Sequence, residues 1–490
     1  MNELICLASE ERGILYKLLQ HLYPEKIPAM QNQHHSIDKA EIISIIEKEL
    51  KLKFYDHFTS ISEPIICASI GQVHKAELKT GPASYEAVAI KIQYPNVKKS
   101  INSQMQFLKL AAAAAKFGPI SKWNISIKSH LLQIEARLNE ELDYNHELKN
   151  LLIVKNFNSH SNKKSITPFE SYCSSQIFTQ SWVEGVDLKF IEKNWNDNDR
   201  KLAAEQLIEN YMKQIFKDGF FQGDTNFSNF IFQKTSGGHS EINVQWIDFG
   251  NWCTLPQEVQ KSLYTLIFQT IKGDDLNYLG HFEKIGFDIT KLRFFQNVLP
   301  TLVSILLEPF LIDRPYDLVN WELEERIDNL LGENKWWFRS SGNAGFLELM
   351  KSFVGIINIL KFLRVNINWH KQFLKLSDQF NIVSINQQIP IYENSIPSIS
   401  NLAKHLVIHI FKNSKEHVKI ELPATSFLDL ENFIPEDIKL LLVERSLDIQ
   451  KIKFNYLKNG LVPGEVFSLE KTDSISDTES VITKFHVYLI

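Results

Sequence analysis

Residues 223–230 read Gly223-Asp224-Thr225-Asn226-Phe227-Ser228-Asn229-Phe230, and 19 residues beyond Asn229 comes Asp248-Phe249-Gly250. An Asp-x4-Asn followed by Asp-Phe-Gly is the spacing that a phosphoryl-transfer site needs. Asp224 is placed to orient a nucleophile or take its proton. Asn229 and Asp248 supply oxygen donors able to hold Mg²⁺ against nucleotide phosphates. Gly250 permits the sharp turn that presents the Asp248 carboxylate. Asp-Phe-Gly alone is a weak signal, since any surface turn can supply it. The preceding Asp-x4-Asn and the apolar run before Asp248 make the combination specific.

Such a site calls for a lysine on an upstream strand, and Ala87-Val88-Ala89-Ile90-Lys91-Ile92 supplies one. A lysine among apolar neighbours is costly unless it meets anions. A long helix expected over 127–157 carries Glu141-Leu142-Asp143-Tyr144-Asn145-His146-Glu147. On one helix Glu141 and Glu147 lie about 120° apart and do not serve one point. Glu147 could pair with Lys91 while Glu141 and Asp143 face another partner, or all three could form an ordinary solvated acidic face. Ahead of the lysine, Ile66-Cys67-Ala68-Ser69-Ile70-Gly71-Gln72-Val73-His74 stands where a glycine-rich phosphate loop would lie. It holds a single glycine, but a loop of small residues still brings backbone N–H groups near phosphates.

Around these motifs the periodicity changes along the chain. Residues 1 to about 60 read as helical, with Ile42, Ile43, Ile45, Ile46 and Leu50 on one face. Residues 65–68, 72–78 and 87–93 read as strands, as does 176–183, which runs into Glu184. Helical patterns dominate from about 200 to 376, and residues 385–400 read as a linker. Beyond it, 406–411 and 418–422 suggest a hairpin, followed by a helix over 435–445 and further strands. His405 and His409 are spaced as in a zinc-protease motif. However, Leu406 stands where that motif needs glutamate, and the run reads as strand.

The chain of 490 residues is 44% apolar and 23% charged, with a net charge of −5. This is ordinary globular usage. There is no basic footprint, so no nucleic-acid partner is expected. The four cysteines form no CxxC pair, which speaks against a zinc ribbon or disulfide framework. The acidic start has no signal-peptide pattern, and no uncharged apolar stretch reaches the ~18–20 residues that span a bilayer. The expected setting is cytoplasmic, with membrane contact at most peripheral.

Taken together, the motifs resemble the UbiB/AarF-type atypical kinases, a protein-kinase-like family linked to ubiquinone biosynthesis. The resemblance runs from about Tyr16 to His370. It rests on 68–74, on Lys91-Ile92-Gln93-Tyr94-Pro95, on Glu141-Leu142-Asp143-Tyr144, on Gly219-Phe220-Phe221 and on the two motifs quoted first. It implies an α+β, protein-kinase-like bilobal fold. Residues 1–60 would form a helical N-terminal extension, 61–184 the N-lobe and 185–384 a helical C-lobe. Beyond the resemblance, the linker and the return of strand patterns suggest that residues 398–490 form a small C-terminal α+β module. The resemblance also implies ATP or ADP with Mg²⁺ as cofactors. Asp224, Lys91 and Glu147 would be catalytic, and Asn229 and Asp248 would bind the metal. Ile66, Cys67, Ala68 and Ser69, with Lys91 and Glu184, would contact nucleotide. Lys17-Leu18-Leu19-Gln20 matches the family's KxGQ element, with Leu19 in place of glycine. Lys17 and Gln20 would then act as regulators together with Glu141 and Asp143 of the ExD element.

The leading expectation is therefore an atypical kinase or ATPase supporting ubiquinone or other isoprenoid-lipid metabolism, with isoprenoid lipids or quinone-biosynthesis proteins as partners. A pseudokinase scaffold that binds nucleotide or lipid without phosphoryl transfer is the alternative. A third reading is lipid binding by the helical region, where Trp336-Trp337-Phe338, Phe346-Leu347 and residues 353–363 concentrate aromatic and aliphatic side chains.

Overall fold

The structure is a computed structural model that describes residues 37–68, 70–114, 135–136, 138–158, 165–234, 241–380, 402–459, 461–476 and 479–490. Lys17, Gln20, Ser69 and the expected linker over 385–400 lie outside the described residues. The chain divides into two compact units. Among the described residues, the first takes those up to 210 together with 220–253, and the second takes 211–219 and those from 254 on.

The first unit contains helices α1 (Lys39–Leu50) and α2 (Phe54–His57), then strands β1 (Phe58–Ile61), β2 (Ile66–Cys67), β3 (Gly71–Gly81) and β4 (Ser84–Gln93). Helices α3 (Val97–Ala114) and α4 (Tyr144–Phe157), strand β5 (Ile177–Ser181), and helices α5 (Leu188–Asn194) and α6 (Asp197–Lys213) follow. The unit division falls near the end of α6. Four short strands complete the unit: β6 (Phe220–Gln222), β7 (Phe230–Lys234), β8 (Ile242–Trp246) and β9 (Trp252–Thr254).

The main sheet is antiparallel in the order β1-β3-β4-β5, with β2 also paired to β3. Alternation along β4 decides what each face carries. Val88, Ile90 and Ile92 are buried in one cluster with Ile42 and Ile46 of α1 and with Phe54 and Phe58. Each fully buried aliphatic side chain is worth about 1.5–3 kcal/mol. A one-residue slip of β4 would expose all three, so its register is firmly set. That register turns Lys91 to the opposite face, because successive strand side chains alternate. Gly71 opens β3 where no side chain fits. A Cβ there would press into the Ile92 carbonyl oxygen and the Tyr144 hydroxyl.

The chain departs from the expected helix over 127–157. Residues 138–141 are helical, but Asp143 adopts an extended conformation and caps a new helix, α4. Its side chain accepts from the Asn145 N–H at 3.1 Å. Aspartate favours this N-cap geometry over a helix interior because its carboxylate satisfies a free backbone N–H. The part of that expected helix over 127–134 lies outside the described residues. The helical reading of 1–60 also stops short, since Phe58–Ile61 is already strand.

The second unit begins with helices α7 (Gln257–Lys272), α8 (Tyr278–Ile285), α9 (Ile289–Leu292), α10 (Leu299–Leu311), α11 (Leu323–Leu331), α12 (Lys335–Ser341), α13 (Ala344–Leu363) and α14 (Trp369–Phe380). Strands β10 (His405–Lys412) and β11 (Lys415–Pro423), helices α15 (Glu436–Glu444) and α16 (Ile449–Asn459), and strands β12 (Gly464–Ser476) and β13 (Glu479–Leu489) end the chain. These strands form one sheet in the order β11-β10-β13-β12. Asn413 and Ser414 turn β10 into β11 with positive φ at both, the conformation a two-residue hairpin needs. Leu406, Ile408 and Val487 of this sheet share one buried cluster with Leu292, Leu299 and Leu302. The C-terminal stretch is therefore packed into the core of the helices before it. His405 and His409 lie on β10, within 3.3 Å of Glu421 and 2.8 Å of Glu416 respectively. Among the described residues, no single helix is long and apolar enough to cross a membrane.

Two outcomes follow from the first unit. Gly71→Ala should lower the unfolding free energy by about 1–3 kcal/mol, the usual cost of overpacking; unchanged urea denaturation would show that the strand absorbs the Cβ. The second concerns His74, which is buried on β3 between the Gln72 amide (2.8 Å) and the Ser62 carbonyl oxygen (2.9 Å). Burial holds its pKa below the ordinary 6.5. The unfolded chain then binds a proton that the folded chain refuses, so stability should fall as pH drops below about 6.5 and level off beneath the folded pKa. Urea titrations from pH 7.5 to 5.5 should show a shallower slope for His74→Gln; equal slopes would refute this.

Candidate nucleotide and metal site

Two short ladders build the site. Strand β6 pairs with β9, and β7 pairs with β8. The segment Gly223–Asn229 leaves β6 and enters β7. Residues 247–251, which contain Asp248-Phe249-Gly250, leave β8 and enter β9. Both turns are thus held by paired strands at each end. The β7–β8 register sets Phe230 opposite Trp246, and the Ile247 N–H donates to the Asn229 carbonyl at 3.0 Å. At the other side the Gly223 N–H donates to the Asn251 carbonyl at 2.8 Å. The 19-residue separation of Asn229 and Asp248 is therefore a hairpin that returns the chain to its starting point.

The backbone of the Asp-Phe-Gly turn is pinned from several elements. Gln180 of β5 donates to the Ile247 carbonyl at 2.9 Å. Gln222 of β6 and the Trp252 indole both donate to the Asp248 carbonyl, at 2.7 and 3.2 Å. The Gly250 N–H closes onto Asp248 Oδ1 at 2.8 Å. Helix α4 holds both backbone groups of Phe249. Glu147 Oε1 accepts from its N–H at 3.3 Å, and Asn150 Nδ2 donates to its carbonyl at 2.8 Å. Glu147 and Asn150 are three apart, so they share one face of the helix.

Lys91 is the electrostatic centre. Its Nζ lies 3.0 and 2.8 Å from the two Glu147 oxygens and 3.7 Å from Asp248 Oδ2. The Tyr144 ring centroid is 5.1 Å away. The Glu147 side chain is 3% exposed and that of Lys91 20%. Burial alone would lower the Lys91 pKa, but Asp248 and Glu147 outweigh it and hold it above the ordinary lysine value. Burial pushes the Glu147 carboxyl up, and the facing ammonium opposes that. The geometry is that of a charged pair with two short contacts.

The remaining candidates separate. Asp224 is fixed at its backbone, where its N–H donates to Gln222 Oε1 at 3.1 Å and its carbonyl accepts from Asn229 Nδ2 at 2.9 Å. Asn229 is buried beside it. Ile66 and Cys67 form β2, and the Ala68 N–H donates to the Gly71 carbonyl at 2.8 Å, closing the loop. Glu184 is not brought to this group. It bonds Lys75 at 2.7 Å with its side chain 76% exposed. Glu141 stands in the short helical stretch before the break, and Asp143 caps α4. Asn150, Gln222, Gln180 and Trp252 were not singled out in the sequence. Their roles rest on contacts to backbone atoms, which no motif spacing announces, although Asn150 stands at the i+3 position from Glu147.

The donor set suits a magnesium nucleotide. Mg²⁺ prefers hard oxygen ligands and binds through one or two protein groups plus substrate phosphates. The Asp248 carboxylate and the Asn229 amide oxygen are such donors. Among the described residues no cluster of three or more His, Cys, Asp or Glu could cage a metal by itself. If the turn is held as described, Asn150→Leu should destabilise the chain by about 1–3 kcal/mol, because the Phe249 carbonyl loses its buried donor. Denaturant unfolding indistinguishable from wild type would rule out that role.

Comparison with known proteins bears on the same region. The profile of the ABC1 atypical kinase-like domain matches residues 29–280. AarF domain-containing kinase 1 of Drosophila melanogaster is 28% identical over 302 residues, covering 58% of this chain and 55% of that protein. The mitochondrial atypical kinase COQ8 of Saccharomyces cerevisiae is 24% identical over 325 residues, covering 64% and 61%. The chain thus spans a little over half the length of these relatives. Among solved structures, the erythromycin complex of Rv3197 from Mycobacterium tuberculosis superposes with a TM-score of 0.52 at 18% identity, covering 74% of this chain and 86% of that one. That likeness concerns the fold, which is kinase-like with mixed helix and sheet. The matched profile spans more than half of the sequence and contains every residue of the Lys91, Glu147, Asp224, Asn229 and Asp248 group, and the chain belongs to the ABC1 atypical kinase-like family.

Proposed function

We propose that the chain binds a magnesium nucleotide at the Lys91–Asp248 group and transfers or hydrolyses its terminal phosphoryl group. The observation that carries this reading is Lys91 held by Glu147 at 2.8 Å with Asp248 at 3.7 Å. An ammonium so placed can neutralise phosphate oxygens while Glu147 fixes its direction. Asn229 and Asp248 would hold Mg²⁺, which would supply further neutralisation of the phosphate charge. Asp224 would orient the attacking hydroxyl or water and accept its proton as the oxygen–phosphorus bond forms and the bond to the nucleoside diphosphate breaks. The resemblance to the UbiB/AarF-type kinases extends the proposal to isoprenoid-lipid or quinone metabolism.

A scaffold without turnover is the competing reading, favoured by a stretch over 66–74 with Gly71 as its only glycine. Calorimetric titration and phosphate release separate the two. Wild type should bind ADP only with Mg²⁺ present, and Asp248→Asn should bind at least ~10-fold more weakly. Asp224→Asn should bind like wild type but lose ~10²-fold or more in hydrolysis. Folded wild type that binds no magnesium nucleotide would end the proposal, and equal hydrolysis by Asp224→Asn would remove the role of that carboxylate.

A further inference from the structure

The second unit contains a cavity of about 130 Å³ that the nucleotide reading does not use. Its wall is assembled from six segments of that unit. Tyr211 and Phe216 stand on one side, Leu266 comes from α7, Val303 and Phe310 from α10, and Phe353 from α13. No ionisable carboxylate, amine, guanidinium or imidazole lines it. Protein interiors are packed as densely as organic crystals, and voids larger than a water are few. An apolar lining offers water no hydrogen-bond partners and so favours apolar molecules; an enclosed engineered cavity of about 150 Å³ holds benzene.

Met212 and Met350 both line it, and methionine side chains adapt their shape to what they touch. Trp369, also in the wall, adds the apolar body of its indole. The wall also includes Phe346 and Phe353, part of the aromatic and aliphatic concentration conspicuous in the sequence.

We infer that this cavity is a binding site for an uncharged hydrocarbon group, either a small ring or a segment of about five or six carbons. The ligand's charged or strongly polar part, where it has one, must stay outside the wall. The inference does not rest on phosphoryl transfer, and the site lies in a different unit from Lys91, so each can fail alone.

The test uses the full chain and thermal unfolding with two probes: benzene as a free apolar molecule, and dioctanoylphosphatidylcholine below its micellar concentration as a chain attached to a headgroup. The comparison variants are Val303→Phe, which fills the cavity, and Leu307→Phe, which fills it from a half-buried position should the first not fold. Wild type should gain about 2 °C or more in Tm with at least one probe, and the filled variants should gain nothing. A gain with benzene alone identifies a free small molecule as the fitting class, and a gain with the phospholipid identifies a chain end. No gain in wild type with either probe overturns the site, as does a gain that persists in a folded, filled variant.

Discussion

The site depends on bringing an ammonium out of water on a β-strand and finding it partners there. Lys91 sits among Val88, Ile90 and Ile92, whose burial fixes the register of β4. On the opposite face the Lys91 side chain is only 20% exposed, which denies the ammonium most of its hydration, so an anion must be present there. Glu147 meets that need at 2.8 Å. Because Glu147 is itself 3% exposed, neither charge is tolerable without the other. The pair therefore ties the position of α4 to the main sheet. The Tyr144 N–H, at the start of that helix, adds a second tie by donating to the Ser175 carbonyl at 3.0 Å.

From α4 the constraint passes to the Asp-Phe-Gly turn. Glu147 and Asn150 grip the N–H and carbonyl of Phe249, so the helix that orients the lysine also sets the path of the residue after Asp248. The β7–β8 hairpin then sets Asn229 against Ile247. Three groups far apart in sequence become one site through backbone hydrogen bonds that are short in space. Loss of any one would leave a buried polar group unpaired, which costs more than the bond contributes.

What could be read from the sequence follows from this construction. Lys91, Asp224, Asn229 and Asp248 stand at spacings dictated by strand alternation and a closed hairpin, and those leave a local signature. Glu147 was legible as the partner of Lys91 through the family resemblance, since the helical phase between Glu141 and Glu147 is lost where Asp143 ends one helix and caps the next. The break before α4 was not, because the apolar periodicity continues through it and only the capping behaviour of Asp143 ends the helix. Glu184 follows β5 in sequence, yet its side chain turns to Lys75. The shared core of β10, β13 and α10 was likewise hidden. The polar stretch over 385–400 looks like a boundary in composition, whereas the membership of Leu299 and Leu406 in one buried cluster is a fact about three dimensions.

The β2–β3 loop shows how the same physics shapes the proposed chemistry. A glycine-rich phosphate loop works by leaving several backbone N–H groups free to face an anion. Here the Ala68 N–H is already engaged by the Gly71 carbonyl. Gly71 is held to glycine by the close approach of Ile92 and Tyr144, so its small size serves packing against the sheet. A phosphate approaching this loop would not meet the Ala68 N–H dipole. In the proposed reading the neutralising load would fall on Lys91 and on a cation at Asn229 and Asp248, beside the buried Glu147 carboxylate and a pinned backbone. The loop's unusual composition and the heavily buttressed Asp-Phe-Gly turn are in this view two sides of one electrostatic arrangement.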